Sequence, residues 1–98
     1  MGQSLKSAQF LMESRLADAA RGNLDSCYEL GMVFSSGAAG VTVYLIEAHK
    51  WFNIAAMRGS HAAQLCRAEI AEDMTAREIA MAQKLARAWL QAGVARAA

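Results

Sequence analysis

The sequence predicts an all-α domain, a short solenoid of antiparallel helical hairpins, on three observations. Apolar residues supply 55% of the 98-residue chain, many of them alanine, and there is no proline; ordinary globular chains carry about 45–50% even with glycine counted. Apolar side chains recur at three- and four-residue spacing, the period of one helix face. The breakers between these segments also repeat. "AARG" at 19–22 returns as "AAMRG" at 55–59, so Gly22 and Gly59 lie 37 residues apart, a period in the range of helical solenoids.

The first helix is expected over Ser4 to Arg21, with Leu5, Ala8, Met12, Leu16 and Ala19 as its apolar stripe and Gly22 suited to a left-handed C-terminal position. Asn23 or Asp25 caps the second, which holds Tyr28, Leu30 and Phe34 before "SSGAAG" breaks it. Gly31, inside that helix, costs about 0.5–1 kcal/mol relative to alanine, which a close helix crossing would justify. Thr42 is the expected cap of the third helix, from about Val43 to Arg58, whose wide inner face carries Tyr44, Ala48, Trp51, Phe52 and Ala55. Gly59 ends it, and Ser60 starts a fourth helix holding Ala63, Leu65 and Ile70. Thr75 followed by Glu78 is a capping box that opens the fifth helix, with Ile79, Ala82, Leu85, Ala86 and Trp89 as its buried stripe. The connections are one to six residues long, and short links make consecutive helices antiparallel neighbours.

The length makes residues 1–98 a single domain. The net charge of +1, with both signs interspersed, lacks the basic field that a phosphate backbone requires, so no nucleic acid is expected as a partner. The N-terminal stretch has no apolar run of signal-peptide length and no later segment is long enough to span a bilayer. With Cys27 and Cys66 read as reduced thiols, a cytoplasmic protein without membrane contact is expected.

Residues 20 to 59 resemble the Sel-one-like repeat family, relatives of the tetratricopeptide repeats. The family pattern of a small residue, Tyr, Leu-Gly, an aromatic and a glycine loop falls on Gly22, Ser26, Tyr28, Leu30, Gly31, Phe34, Gly37, Gly40 and Val41. Its second helix, with Ala, Trp-Phe, Ala-Ala and a closing Gly, falls on Ala48, Trp51, Phe52, Ala55, Ala56 and Gly59. Residues 60 to 92 resemble a degenerate last repeat with a capping helix, since Arg67 and Ala68 replace Leu-Gly. Tyr44 stands where many repeats have Asp, and the glycine loop is one residue longer than the common form. The resemblance implies a right-handed α-solenoid with one full repeat between degenerate capping helices. It also implies a structural role for these residues: Trp51 and Phe52 as a wedge between hairpins, Ala55 and Ala56 as the flat surface admitting the next helix, and Gly31 as the point of close approach.

The chemistry-bearing residues do not form a catalytic group. His49, His61, Cys27 and Cys66 lack metal-ligand spacing, so no metal or cofactor is expected. His49 falls opposite Trp51, with Ile46 and Asn53, which suits solvent or an interhelical contact better than catalysis. Ser35-Ser36 lacks the lysine and preceding strand of a phosphate loop. Glu72-Asp73 lies just before a helix start, where negative charge favours the dipole. Arg77, Lys84 and Arg87 make too short a basic stripe for nucleic acid and suit a solvated face.

What is left is a surface. On the second helix Asp25, Glu29, Met32 and Ser36 recur at helical spacing, and the 37-residue period carries them to Ala62, Cys66, Glu69 and Asp73. Such a stripe suits a basic or amphipathic segment of a partner protein, or is simply a solvated acidic face. Phe10 points away from the first helix's stripe, so it either anchors a partner or second copy or packs on a neighbouring terminus. The expected function is a non-enzymatic adaptor, in line with the scaffolding and signalling adaptors of the family it resembles. The alternative is a self-associating helical module.

Overall fold

The computed structural model describes the backbone of residues 2–97 and the side chains of residues 9–38 and 40–93. Five α-helices follow one another: α1 Gly2–Ala20, α2 Leu24–Ser36, α3 Leu45–Met57, α4 His61–Ala71 and α5 Ala76–Ala97, with a single 3-10 turn at Ala38–Gly40. No strand occurs among the described residues. Leu5 and Ala8, placed on the first helix's stripe, have side chains outside that description; Met12 packs on the core and Ala19 is buried, while Leu16 sits at the rim.

The helix boundaries follow local chemistry. Asn23 caps α2, its side chain accepting from Ser26 N at 3.1 Å, and Ser60 does the same for α4 through Ala63 N at 3.1 Å. The predicted capping box is formed at α5: Glu78 N donates to Thr75 Oγ1 at 3.1 Å and Thr75 N donates to Glu78 Oε1 at 2.8 Å. The glycine breakers sit where φ is positive, with Gly22 at 91° and Gly59 at 107°, conformations that a side chain would strain.

The start of α3 differs from the sequence reading. Thr42 does not cap it. Residues 41–44 form no helix; the Tyr44 backbone is extended and its N–H donates to Phe34 O at 2.9 Å, tying this segment to the end of α2. The helix begins only after that bond, with Tyr44 as its N-cap. Tyr44 therefore lies outside the α3 inner face on which the sequence placed it and is 50% exposed. On α5, Leu85 is likewise not buried; Ala82 and Ala86 are, and Leu85 lies at the edge of the contact.

The core is built around α3, which packs on α2, α4 and α5. Leu30, Ala48, Trp51, Phe52, Ile54 and Ala55 are all sealed from solvent. The two neighbouring aromatics face different partners. Phe52 meets Tyr28 with ring centroids 5.9 Å apart and lies against Gly31, while Trp51 meets Trp89 of α5 edge-on at 4.9 Å. The Trp51 indole donates to Glu47 Oε2 at 3.1 Å. Lys50, itself paired with Glu47 at 3.2 Å, holds its ammonium 4.4 Å from the Trp51 ring centre and 5.7 Å from that of Trp89. The cation thus covers the seam that the two indoles close. No helix, among the described residues, is long and apolar enough to cross a membrane.

Candidate functional site

The two stripes picked out in the sequence lie on α2 and α4, and both face outward. Asp25, Glu29, Met32 and Ser36 are exposed on α2; Glu69 is exposed on α4, Cys66 is half-buried, and Asp73 is exposed in the turn that follows. Between the helices lies an open hollow of about 210 Å³ lined by Met32, Ser35, Phe52, Cys66, Glu69 and Ile70. The hollow brings together Met32, Cys66 and Glu69 from the predicted set. Asp25, Glu29, Ser36 and Asp73 do not line it, and Phe10, 70% exposed, is on α1. Ser35, weighed in the sequence only as part of a phosphate loop, and Ile70 were not placed on the surface stripe, although Ser35 lies three residues beyond Met32 and Ile70 four beyond Cys66, the spacings that share a helix face.

The polar groups around the hollow are unequal. Glu29 is held by Arg15 of α1, Nε to Oε2, at 3.1 Å. Ser36 Oγ donates to Met32 O at 2.7 Å and accepts from Ala38 N at 3.3 Å, so its hydroxyl finishes the helix end. Ser35 Oγ also donates to Met32 O, at 3.1 Å, and accepts no hydrogen bond among the described residues. Glu69 makes no ion pair or side-chain hydrogen bond among the described residues. The Cys66 thiol meets the Tyr28 hydroxyl at 3.9 Å.

Other reactive side chains are placed where they do little chemistry. Both cysteines are free. Cys27 is fully buried, and burial pushes its thiol up despite the opposing influence of Arg58, which keeps it protonated and inert. His49 is 2% exposed on α3, so of the two sequence alternatives solvent is ruled out. Its Nδ1 has no hydrogen-bond partner among the described residues, and burial first, then Arg67, hold its pKa below the ordinary value. Arg67 of α4 reaches across to donate to Asn53 Oδ1 at 2.6 Å. No group of three or more His, Cys, Asp or Glu side chains able to hold a metal occurs among the described residues. A second hollow, lined by Ala20, Arg58, Trp89, Ala92 and Gly93, measures only about 30 Å³, one water's share of space.

No protein-family profile matches the chain, and neither a curated protein nor a solved structure matches it.

Proposed function

We propose that the chain is a non-catalytic protein-binding module whose α2/α4 groove receives a basic or amphipathic segment of a partner protein. The observation that carries this reading is the hollow itself. Met32 of α2 and Glu69 of α4, 37 residues apart, meet at one concavity with carbon-rich walls and a carboxylate at its edge, and Cys66 lines it too. Concave surfaces lined by the first helices of stacked hairpins are the usual binding faces of helical repeats. We assign the helices, in the same reading, to a small Sel-one-like stack of antiparallel hairpins, α2 with α3 and α4 with α5. The extensive contact of α2 with α3, the turn glycines and the seating of Phe52 on Gly31 support the α2/α3 hairpin, while α4 and α5 each pack on α3 more than on one another. A cytoplasmic adaptor or scaffold is the role that fits.

The test uses a synthetic amphipathic helix with lysines on its polar face. The Glu29→Lys, Glu69→Lys double variant should lose binding to it while melting at nearly the wild-type temperature, because the Arg15–Glu29 pair is exposed and such pairs contribute about 0–1 kcal/mol. Undiminished binding would remove the acidic groove from consideration.

A second reading, self-association, draws on apolar side chains at the two ends of the helix order. Phe10 and Leu11 are exposed on α1, and Leu65, Met81 and Leu85 on α4 and α5. The mass of the peptide-free protein, followed across a dilution series in the same experiment, separates the two readings.

A further inference from the structure

We infer that the hollow between α2 and α4 is an anchor pocket for one long cationic side chain, an arginine or lysine, of the segment that the groove receives. The inference rests on the binding-module reading above and adds the chemistry of its anchor.

Size decides how much of a partner enters. The hollow measures about 210 Å³. A cavity of about 150 Å³ already holds a benzene-sized molecule, whereas pockets that take whole small ligands run from about 300 to 1,000 Å³. One side chain fits. A drug-sized ligand does not.

The walls and rim decide which side chain. Met32, Phe52 and Ile70 line the hollow with carbon and sulfur, a surface suited to a run of methylenes. Of the polar groups lining the hollow, the Glu69 carboxylate, unpaired among the described residues, and Ser35 Oγ can accept, while the Cys66 thiol, in contact with the Tyr28 hydroxyl, is a weak neutral donor at most. No cationic side chain lines the hollow. Arg67, the nearest arginine along α4, is committed to Asn53, and Arg15 is committed to Glu29. An incoming carboxylate would therefore meet Glu69 with nothing to offset it. A neutral apolar side chain would fill the walls but pull a carboxylate partly out of water without a partner. A stem of methylenes ending in a guanidinium or ammonium satisfies both surfaces, with charge-assisted hydrogen bonds to Glu69.

The experiment reads the Met32 and Ile70 methyl signals by NMR. The probes are four blocked amino acids, N-acetyl N-methylamides of arginine, lysine, norleucine and glutamate, titrated through the millimolar range. Arginine and lysine probes should shift both methyls saturably, norleucine much more weakly, and glutamate not at all. Glu69→Gln, an exposed substitution that leaves the core alone, should weaken the arginine response by about tenfold. Equal responses to arginine and norleucine, or an arginine response indifferent to Glu69→Gln, overturn the inference. So does the absence of any shift.

A parallel titration with the amphipathic lysine peptide keeps this failure apart from that of the groove. If the peptide binds while sparing the Met32 and Ile70 methyls, the pocket falls and the groove stands. If neither peptide nor probe binds, both fall. If the methyl shifts instead track protein concentration and the solution mass doubles, a second copy occupies the groove and the anchor inference is wrong.

Discussion

Gly31 is where a single hydrogen atom decides a helix crossing. A Cβ built on it would lie 2.5 Å from two carbons of the Phe52 ring and 2.9 Å from a third, and that ring is fully buried. Two effects compete in Gly31→Ala. Removing a mid-helix glycine gains about 0.5–1 kcal/mol, whereas forcing a methyl into a filled core costs about 1–3 kcal/mol. Because the clash involves the base of the ring as well as its edge, the steric cost wins. Gly31→Ala should lower unfolding stability by about 1–2 kcal/mol in a urea titration, and adding Phe52→Leu should make the alanine favourable or neutral against that background. A Gly31→Ala protein more stable than wild type would mean the helices do not cross here. This residue was legible in advance, because a glycine among good helix formers is a cost that only proximity repays. Tyr28 and Phe52 could be read for the same reason: large rings at helical spacing must be covered.

The elements were legible where a side chain sets the boundary and obscure where a long-range bond does. Thr75 and Glu78 announce α5 because each satisfies the other's backbone within four residues. Thr42 looks equally suitable as a cap, yet the bond from Tyr44 N to Phe34 O keeps its segment extended, and no local pattern encodes it. The face of α3 opposite Trp51 was obscure for another reason. His49 and Asn53 make a polar pair on a helical wheel, but both are buried, and Arg67 on α4 bonds to Asn53. The histidine is thereby held neutral, which makes the α3/α4 contact sensitive to acid. The pKa of His49 lies below its ordinary 6.5 in the fold, with burial the larger cause and Arg67 the second, the one charged group acting on it. Between the folded and unfolded values the unfolded chain binds more protons, so stability rises with pH there and is lost as pH falls below about 6.5. The urea midpoint should therefore drop between about pH 7 and 5, above the range where most carboxylates titrate. His49→Leu should flatten that slope; an unchanged slope would assign the acid response to other groups.

At the scale of the molecule, α3 is the member that α2, α4 and α5 share, and the Trp51–Trp89 contact helps to join α5 to it. Carbon burial, an indole hydrogen bond to Glu47 and the Lys50 ammonium over both rings all act at the same seam. Small domains bury a smaller fraction of their surface than large ones, so a contact of this kind is a large share of the total. Truncating Trp51 to alanine should cost about 3–5 kcal/mol, against whole-domain stabilities that begin near about 5 kcal/mol. Trp51→Phe keeps a ring but loses the bond to Glu47 and should cost about 1–2 kcal/mol. The chain has two tryptophans, so in both variants Trp89 is the sole indole and its fluorescence reports α5 directly. If the domain is one cooperative unit, Trp89 fluorescence and helical circular dichroism lose their native signal at the same urea concentration in Trp51→Phe. If α5 is instead a separately stable helix laid on a core of the other four, the fluorescence moves first and most helicity survives it. The first outcome is expected, because Ala82 and Ala86 are as completely buried as the centre of α3 and Trp89 and Leu90 pack on the same core, so the buried face of α5 is shared with α3.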